Sequence, residues 1–478
     1  MSKDGGYMFK KTKIVATISD KNCEPDFLNQ LFRAGMDLVR LNTAHQTHDD
    51  ALKVIQNVRK VSDKIGIIID TKGPEIRTCP AEKSLEVVYG DYIRIKGAHL
   101  EKSRDDIICV THDDFVKDVP IGSSILIDDG MIALAVMDKT DEYLSCFVEN
   151  DGVIDEKKSV NIPSVHVKLP ALSEKDKNFI RFAADHDVDF IAHSFVRNKQ
   201  DVLAVQKIID EKKSKIKIIA KIENYQGVEN LDEILEYAYG IMVARGDLAV
   251  EIPAERIPLI QKKMIKTCVA KRKPVIVATQ MLHTMIKSPR PTRAEVSDVA
   301  NACLDHTDAL MLSGETASGK YPDIAVRTMA KIAKEVELKT NSFIDVPYTL
   351  ENKVAAYLAK SAVKASMRLN TRAIIADSLS GMAIRALAAY RGGNPIYAQI
   401  YDKRVVRELS LSYGVKADFI NREKDPAIPI KKAISRLLKE KYLSPHDLIT
   451  VLAGHFGADH GPSYIEISTA GSLADKRY

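Results

Sequence analysis

Two hydrophobic runs in this chain end in opposite charges. Residues 216–224 read IKIIAKIEN and finish on Lys221 and Glu223; residues 241–247 read IMVARGD and finish on Arg245 and Asp247. Short apolar runs with β-branched members read as buried strands. Charges at such strand ends are costly unless each meets a partner, a metal or a ligand. Glu223 and Asp247 offer hard oxygen donors suited to magnesium or manganese. Two carboxylates are too few for an all-protein cage, so water and substrate phosphate oxygens would complete the shell. Lys221, Arg40 and Arg77 could surround a phosphoryl group in transfer, where fixed positive charge is the main catalytic lever. Gly246 allows close backbone approach to a carboxylate or phosphate. Asn42, Asp70 and Thr71 form an oxygen-rich group able to hold a second cation. Lys221 has two other readings. It could be a Schiff-base lysine, or a structural partner of Glu223, which points to the same side of an extended segment. A metal ligand so close favours the charged lysine over the neutral amine that a Schiff base needs.

These residues need strands to carry them. The pattern predicts strands over 13–18, 37–41, 65–69, 188–192, 216–220, 241–244, 274–278 and 309–312. Helical patterns lie between most of them, over 49–61, 199–211, 254–271, 293–304 and 323–336. Strands alternating with helices indicate a parallel sheet, and eight such units suit a closed (β/α)₈ TIM barrel. A doubly wound sheet is the alternative, but it would more naturally show a glycine-rich turn after its first strand, where TISDK stands instead. A barrel collects its chemistry at the C-terminal rim. Seven strand ends there supply Arg40 and Asn42, Asp70 and Thr71, Ser194 and Arg197, Lys221 and Glu223, Arg245 and Asp247, Thr279 and Gln280, and Ser313 and Glu315.

One gap breaks the beat. Between 69 and 188 the chain shows short alternating runs separated by turn residues such as DDG at 128–130 and NDG at 150–152. That pattern predicts an all-β module inserted at the barrel's functional face. After about 340 an α/β pattern restarts, opening with a helix over 352–367 and carrying a second helix over 426–438. The expected partition is 1–73 and 170–340 for the barrel, 74–169 for the inserted module and 341–478 for a C-terminal α/β domain. The six cysteines form no CxxC pair, which suggests neither a zinc knuckle nor a disulfide framework. A net charge of +5 against 70 basic and 65 acidic residues, 6% aromatics and no Trp argue against a nucleic-acid binder. The basic clusters Lys262–Lys263 and Lys271–Arg272–Lys273 read as helical and water-facing. No run approaches a membrane span and no apolar leader opens the chain. The expectation is a cytoplasmic protein with neither nucleic acid nor membrane as partner.

Longer strings carry a resemblance. They include RLN at 40–42, DTKGPEIRT at 70–78, LPALSEKD at 169–176, SFVRN at 194–198, KIEN at 221–224 and IMVARGDLAVEIP at 241–253. The longest is ATQMLHTMIKSPRPTRAEVSDVANACLD at 278–305, followed by MLSGETASGKYP at 311–322. In these strings the chain resembles the pyruvate kinase family. The resemblance implies a (β/α)₈ barrel with a small β-barrel lid after its third strand and a C-terminal α/β domain. It implies conversion of phosphoenolpyruvate and ADP to pyruvate and ATP, with magnesium (or manganese), potassium, and assembly as a homotetramer.

The same resemblance implies residue roles. Glu223 and Asp247 would take the magnesium, Lys221 would stabilise the phosphoryl group in transit and Arg40 would contact it. Gly246, Asp247 and Thr279 would hold the substrate carboxylate, with Thr279 near the carbon that is protonated. Arg77, Lys158 and His45 would contact the nucleotide, and lid closure over Lys158 would exclude water. Asn42, Asp70 and Thr71 would take potassium, while Ser313 and Glu315 would shape the rim.

The chain also departs from the family. RLNTAHQ places Ala44 where a serine hydroxyl would help ligate potassium, and a methyl group cannot coordinate a cation. Glu75 still matches the potassium-dependent form, so a monovalent-cation requirement of altered strength is expected. TISDKN at 17–22 replaces a glycine–proline–alanine–serine stretch on the nucleotide side. SLSG at 378–381, before a helix, reads as a plain N-cap or as a phosphate-binding turn for a small-molecule effector. The loop 454–464 departs from the usual sugar-bisphosphate pattern. Two rival readings use the same barrel. A metal-dependent lyase would not need the inserted lid or the cluster Arg40, Arg77, Lys158 and Lys221. A non-catalytic regulator would be expected to lack Lys221 or the metal acids.

Overall fold

The computed structural model describes residues 9–475 except 105, 164, 166, 341–342, 348–352, 426 and 455–460. Eight strands close into one barrel: Lys13–Thr17 (β1), Leu38–Asn42 (β2), Gly66–Asp70 (β3), Phe190–His193 (β4), Lys217–Ile222 (β5), Gly240–Ala244 (β6), Val275–Ala278 (β7) and Ala309–Leu312 (β8). Every neighbouring pair runs parallel. Side chains alternate as the pleat requires. Val15, Leu38, Ile68, Phe190, Ile219 and Met242 point inward, and Leu411 of the C-terminal domain joins them. Ile14, Val39, Ile67, Ile191, Ile218 and Ile241 point outward into the helix layer.

The helices leaving the rim are started by their own side chains. Thr47 with Asp50, Ser173 with Asp176 and Thr292 with Glu295 each form a capping box. Such boxes satisfy first-turn N–H groups that would otherwise lack partners, and so hold the loops beside the chemistry.

Between β3 and β4 the chain builds a module with its own core, centred on Ile95, Phe115, Ile125, Leu134 and Cys146. A six-stranded sheet orders Val160–Asn161, Ser124–Ile127, Ile132–Lys139, Leu144–Val148, Tyr92–Gly97 and Ile107–Val110, with Leu85–Val87 paired to Gly152–Ile154 beside it. The C-terminal domain is a five-stranded sheet, parallel except for its last strand, Tyr464–Thr469.

Several details differ from the sequence pattern. β4 is assigned from Phe190, although Asp189 still bonds Ile67 and Lys217 through its backbone, while its carboxylate meets Arg407 Nε (2.5 Å) and Arg59 Nη2 (2.9 Å). The helix expected over 254–271 divides into a 3₁₀ turn, Ala254–Arg256, and Ile257–Ala270, with Pro258 in the first turn where its missing N–H costs nothing. Two strands of the inserted module, Gly152–Ile154 and Val160–Asn161, had no alternating signal. Lys271–Arg272–Lys273 does not lie on a water-facing helix. The helix stops at Ala270, Arg272 has φ +56°, and Lys273 donates to the Ala238 carbonyl at 2.8 Å. Position 352 of the expected helix, position 426 and residues 455–460 of the loop fall outside the described residues. The six thiols are buried and free. No helix among the described residues is long and apolar enough to cross a membrane.

Candidate active site

The rim of the barrel, beneath the inserted module, opens into a cavity of about 480 Å³. Arg40, Asn42, His45, Thr71, Arg77, Lys221, Glu223 and Asp247 all line it. At its base the ends of β2, β3 and β5 bring charges together. Lys221 Nζ lies 3.0 Å from Asp70 Oδ1 and 3.1 Å from Glu223 Oε1. Arg40 Nε lies 2.6 Å from Asp70 Oδ2 and donates through Nη1 to Thr17 Oγ1 at 3.2 Å. Burial opposes the charge on Lys221, but Asp70 and Glu223 outweigh it and hold its ammonium above the ordinary lysine range. Burial likewise opposes ionisation of Asp70, and Arg40 and Lys221 overcome it. Glu223 is the less compensated partner. Burial raises its pKa and Lys221 only partly opposes this, while the carboxylates of Asp247 and Asp70 raise it further. The asymmetry has a simple source: Lys221 has two carboxylates, whereas Glu223 shares one cation and faces two acids.

Ser194, foreseen only as a rim residue, is central. It accepts from Lys221 Nζ at 2.6 Å and donates to the Thr71 carbonyl at 2.7 Å. Phe195 N–H donates to Glu223 Oε2 at 2.6 Å and fixes that carboxylate.

Gly246 and Thr279 stand together at the ends of β6 and β7. Gly246 N–H donates to Thr279 Oγ1 at 2.9 Å, and that hydroxyl donates to the Ala278 carbonyl at 2.7 Å. Thr279 and Gln280 both have left-handed φ, +67° and +54°, which costs energy for residues with a Cβ. Arg245 does not face the cavity. Its Nη1 bonds both oxygens of Asp298 at 2.7 Å, and its Nη2 donates to the Thr279 carbonyl at 2.7 Å. Arg197 is held by Asp201 and the Leu169 carbonyl. Glu315 accepts from the Leu282 and Ser313 N–H groups and shapes the rim.

On the opposite wall Arg77 is set by Glu75 (2.7 Å) and the Lys157 carbonyl (2.6 Å). Lys158 does not line the cavity. Its ammonium lies 2.8 Å from Asp128 within the inserted module, and its neighbour Lys157 lines the cavity instead, together with Lys72. Lys157 sits in a turn with φ +61°, ahead of the strand Val160–Asn161, so the two adjacent lysines diverge in a way that composition does not reveal. Asn42 Oδ1 accepts from Ala44 N–H at 3.2 Å, and Ala44 forms part of the wall. The SLSG turn closes on itself. Ser378 Oγ accepts from Gly381 N–H at 3.0 Å, and Gly381 has φ +74°.

Comparison with known proteins decides the lineage. A model of the pyruvate kinase barrel domain matches residues 9–326, and one of the pyruvate kinase alpha/beta domain matches residues 357–467. The chain belongs to the pyruvate kinase family. It is 46% identical over 466 residues to a pyruvate kinase of Borreliella burgdorferi, covering 96% of this chain and 97% of that one. It is 41% identical over 478 residues to a pyruvate kinase of Bacillus licheniformis, covering 98% of this chain and 82% of that one. A solved pyruvate kinase from Cryptosporidium parvum superposes with a TM-score of 0.91 at 36% identity, covering 96% of both chains.

Pyruvate kinases as a family need a divalent metal and potassium. The donor set here fits a divalent ion. Glu223 and Asp247 are two carboxylates on one cavity wall that repel each other, and a cation between them would relieve that repulsion. Among the described residues no group of three or more His, Cys, Asp or Glu is arranged to hold a metal.

Proposed function

We infer that this cavity transfers the phosphoryl group of phosphoenolpyruvate to ADP, giving pyruvate and ATP. The observation that carries the reading is the base of the cavity. There Lys221 stays charged between Asp70 and Glu223, with Arg40 beside it. A group that must receive a phosphoryl in flight needs fixed cations that do not reorganise. Ser194 and Thr17 hold Lys221 and Arg40 in place, so their charge is aimed before substrate arrives. The phosphorus–oxygen bond to the enol breaks as a bond to the terminal ADP oxygen forms. Arg40 and Lys221 balance the negative charge spread over the phosphoryl oxygens. Gly246 and Asp247 hold the carboxylate end of the substrate. The enolate that remains becomes pyruvate when a proton reaches its CH₂ carbon, and Thr279 orients that proton.

Glu223 and Asp247 hold the divalent ion in this reading, and when bound it supplies positive charge to the substrate and phosphoryl oxygens. Asn42, Asp70 and Thr71 hold potassium, with Ala44 leaving one ligand short. Arg77 and His45 meet the nucleotide, and Lys158 joins them when the inserted module closes and Asp128 releases it. The charge cluster at Arg40, Arg77 and Lys221 favours this chemistry over a lyase, which needs no such set.

Assembly as a homotetramer and residence in the cytoplasm accompany the reading by family likeness, as does an effector of the C-terminal domain. A coupled assay with lactate dehydrogenase, phosphoenolpyruvate, ADP and magnesium tests the activity. Absence of pyruvate formation at saturating substrates and potassium would refute it. Light scattering of the purified chain tests the tetramer.

A further inference from the structure

The joint between the barrel floor and the C-terminal domain contains a crevice of about 20 Å³, far from the rim. From the barrel come Arg272, Lys273 and Asp308; from the C-terminal domain come Arg385, Arg391 and Ser412. Four cations therefore meet one carboxylate. That carboxylate is already used: Asp308 takes both terminal nitrogens of Arg391 at 2.9 and 2.8 Å and the N–H groups of Val275 and Tyr413 at 3.1 Å each.

The remaining cations keep buried N–H groups without partners. Among the described residues these are Nε and Nη1 of Arg272, Nε of Arg391, and Nη1 of Arg385, whose polar neighbour is the buried and equally orphaned Tyr239 hydroxyl. Arg391 is 3% exposed. Burying a donor unpaired costs roughly 1–3 kcal/mol, more when it is charged, and such groups in folded proteins nearly always find an acceptor. Burial, then the neighbouring Arg385 charge, pushes the Lys273 ammonium below its ordinary pKa. Other contacts hold the arms in place rather than neutralise them. Arg272 Nη2 donates to the Pro347 carbonyl, Lys273 to the Ala238 carbonyl and Arg385 Nη2 to the Ser380 carbonyl. Arg385 also lies over the Tyr239 ring at 5.5 Å.

We propose that this crevice binds a single tetrahedral oxyanion of phosphate size, which bridges Arg272 and Lys273 on the barrel floor to Arg385 and Arg391 on the C-terminal domain. Guanidinium groups are donors only and a phosphate is rich in acceptors, so the match is direct. At about 20 Å³ the space is far too small for a whole nucleotide, so the occupant is a free oxyanion or the phosphoryl end of an ester. Its effect falls on the docking of the two domains.

The test is calorimetric titration and thermal melting of the intact protein with inorganic phosphate, against sodium chloride at equal ionic strength. Arg272→Gly suits the left-handed backbone at that position and removes two of the unpartnered nitrogens. Arg385→Gln removes a third from the other domain. Lys207→Gln, an exposed position on the helix Lys199–Glu211, is the control. Phosphate also competes at the catalytic rim, so the expected result is two classes of site. One is lost, or weakened at least tenfold, in Arg272→Gly and Arg385→Gln but kept in Lys207→Gln. Glycerol 2-phosphate then assigns the source: binding lost in the same variants points to an ester end, and no binding there points to the free ion. Identical phosphate stoichiometry and melting shifts in all four proteins would overturn the proposal. So would chloride reproducing the full shift, since that is screening alone.

Discussion

Arg245 grips Asp298 through both carboxylate oxygens at 2.7 Å, and with its other terminal nitrogen it holds the carbonyl of Thr279. The arginine of the rim string therefore contacts Thr279 and does not line the cavity. Thr279 sits in a strained left-handed conformation, and the clamp helps hold it there. Arg245→Lys cannot reproduce a planar fork. It should lower kcat roughly 10- to 100-fold, the scale of a misplaced group near the reacting atoms, while KM for ADP changes little. Hydrogen exchange at the pyruvate methyl group, followed by NMR in deuterium oxide, should fall in parallel with kcat. A normal exchange rate in this variant would separate Thr279 from the clamp.

Lys221→Met removes the charge nearest the proposed phosphoryl path and keeps the length of the side chain. Turnover should fall on the order of 10²- to 10³-fold, as when a pre-aimed electrostatic group is deleted. Manganese binding, read by paramagnetic resonance, should survive because Glu223 and Asp247 remain. Near-normal turnover would remove Lys221 from its role; lost manganese binding would mean that the lysine builds the metal site instead.

Much of this site could be read along the chain because strand ends obey a simple period. Apolar runs named the eight strands, and a barrel must gather their ends, so Arg40, Asp70, Lys221 and Glu223 met as expected. What could not be read was direction just past a strand end, where Arg245–Glu251 turns straight into a helix. Arg245 and Asp247 are two residues apart in one string, yet only Asp247 lines the cavity. Arg245 is claimed by Asp298, far away in sequence. Lys157 and Lys158 differ in the same way. Arg272 follows a helix end like any surface cation; contact with the Pro347 carbonyl and the crevice beside the C-terminal domain leave it half-buried. The strand Val160–Asn161 carried no alternation, since two residues are too few to show a period.

Ala44→Ser restores a hydroxyl to the wall beside Asn42. If Asn42, Asp70 and Thr71 hold potassium, one added oxygen ligand worth about 1 kcal/mol should lower the half-activating potassium concentration roughly fivefold. The maximal rate at saturating potassium should stay near that of the parent. The titration needs enzyme freed of potassium and sodium, with ionic strength held by a bulky organic cation. Full activity of the parent in the blank, or an unchanged requirement in the variant, would contradict the assignment.

His193 offers a test of stability against pH. Its ring is fully buried behind Thr71, its Nε2 has no partner among the described residues, and burial pushes its pKa from 6.5 down to about 4. Above pH 6.5 the ring is neutral in both the folded and the unfolded chain, and its contribution is complete. As pH falls from 6.5 towards 4, the unfolded chain binds a proton that the folded ring refuses, so stability is lost across that window. The full loss is on the order of 3 kcal/mol, from 1.36 kcal/mol per pKa unit. His193→Phe keeps a ring of similar shape and cannot take up the proton. Urea unfolding midpoints compared at pH 7.5 and pH 5 should drop less in the variant than in the parent. An equal drop would mean that the acid sensitivity of the fold lies in other groups and that His193 is protonated without penalty.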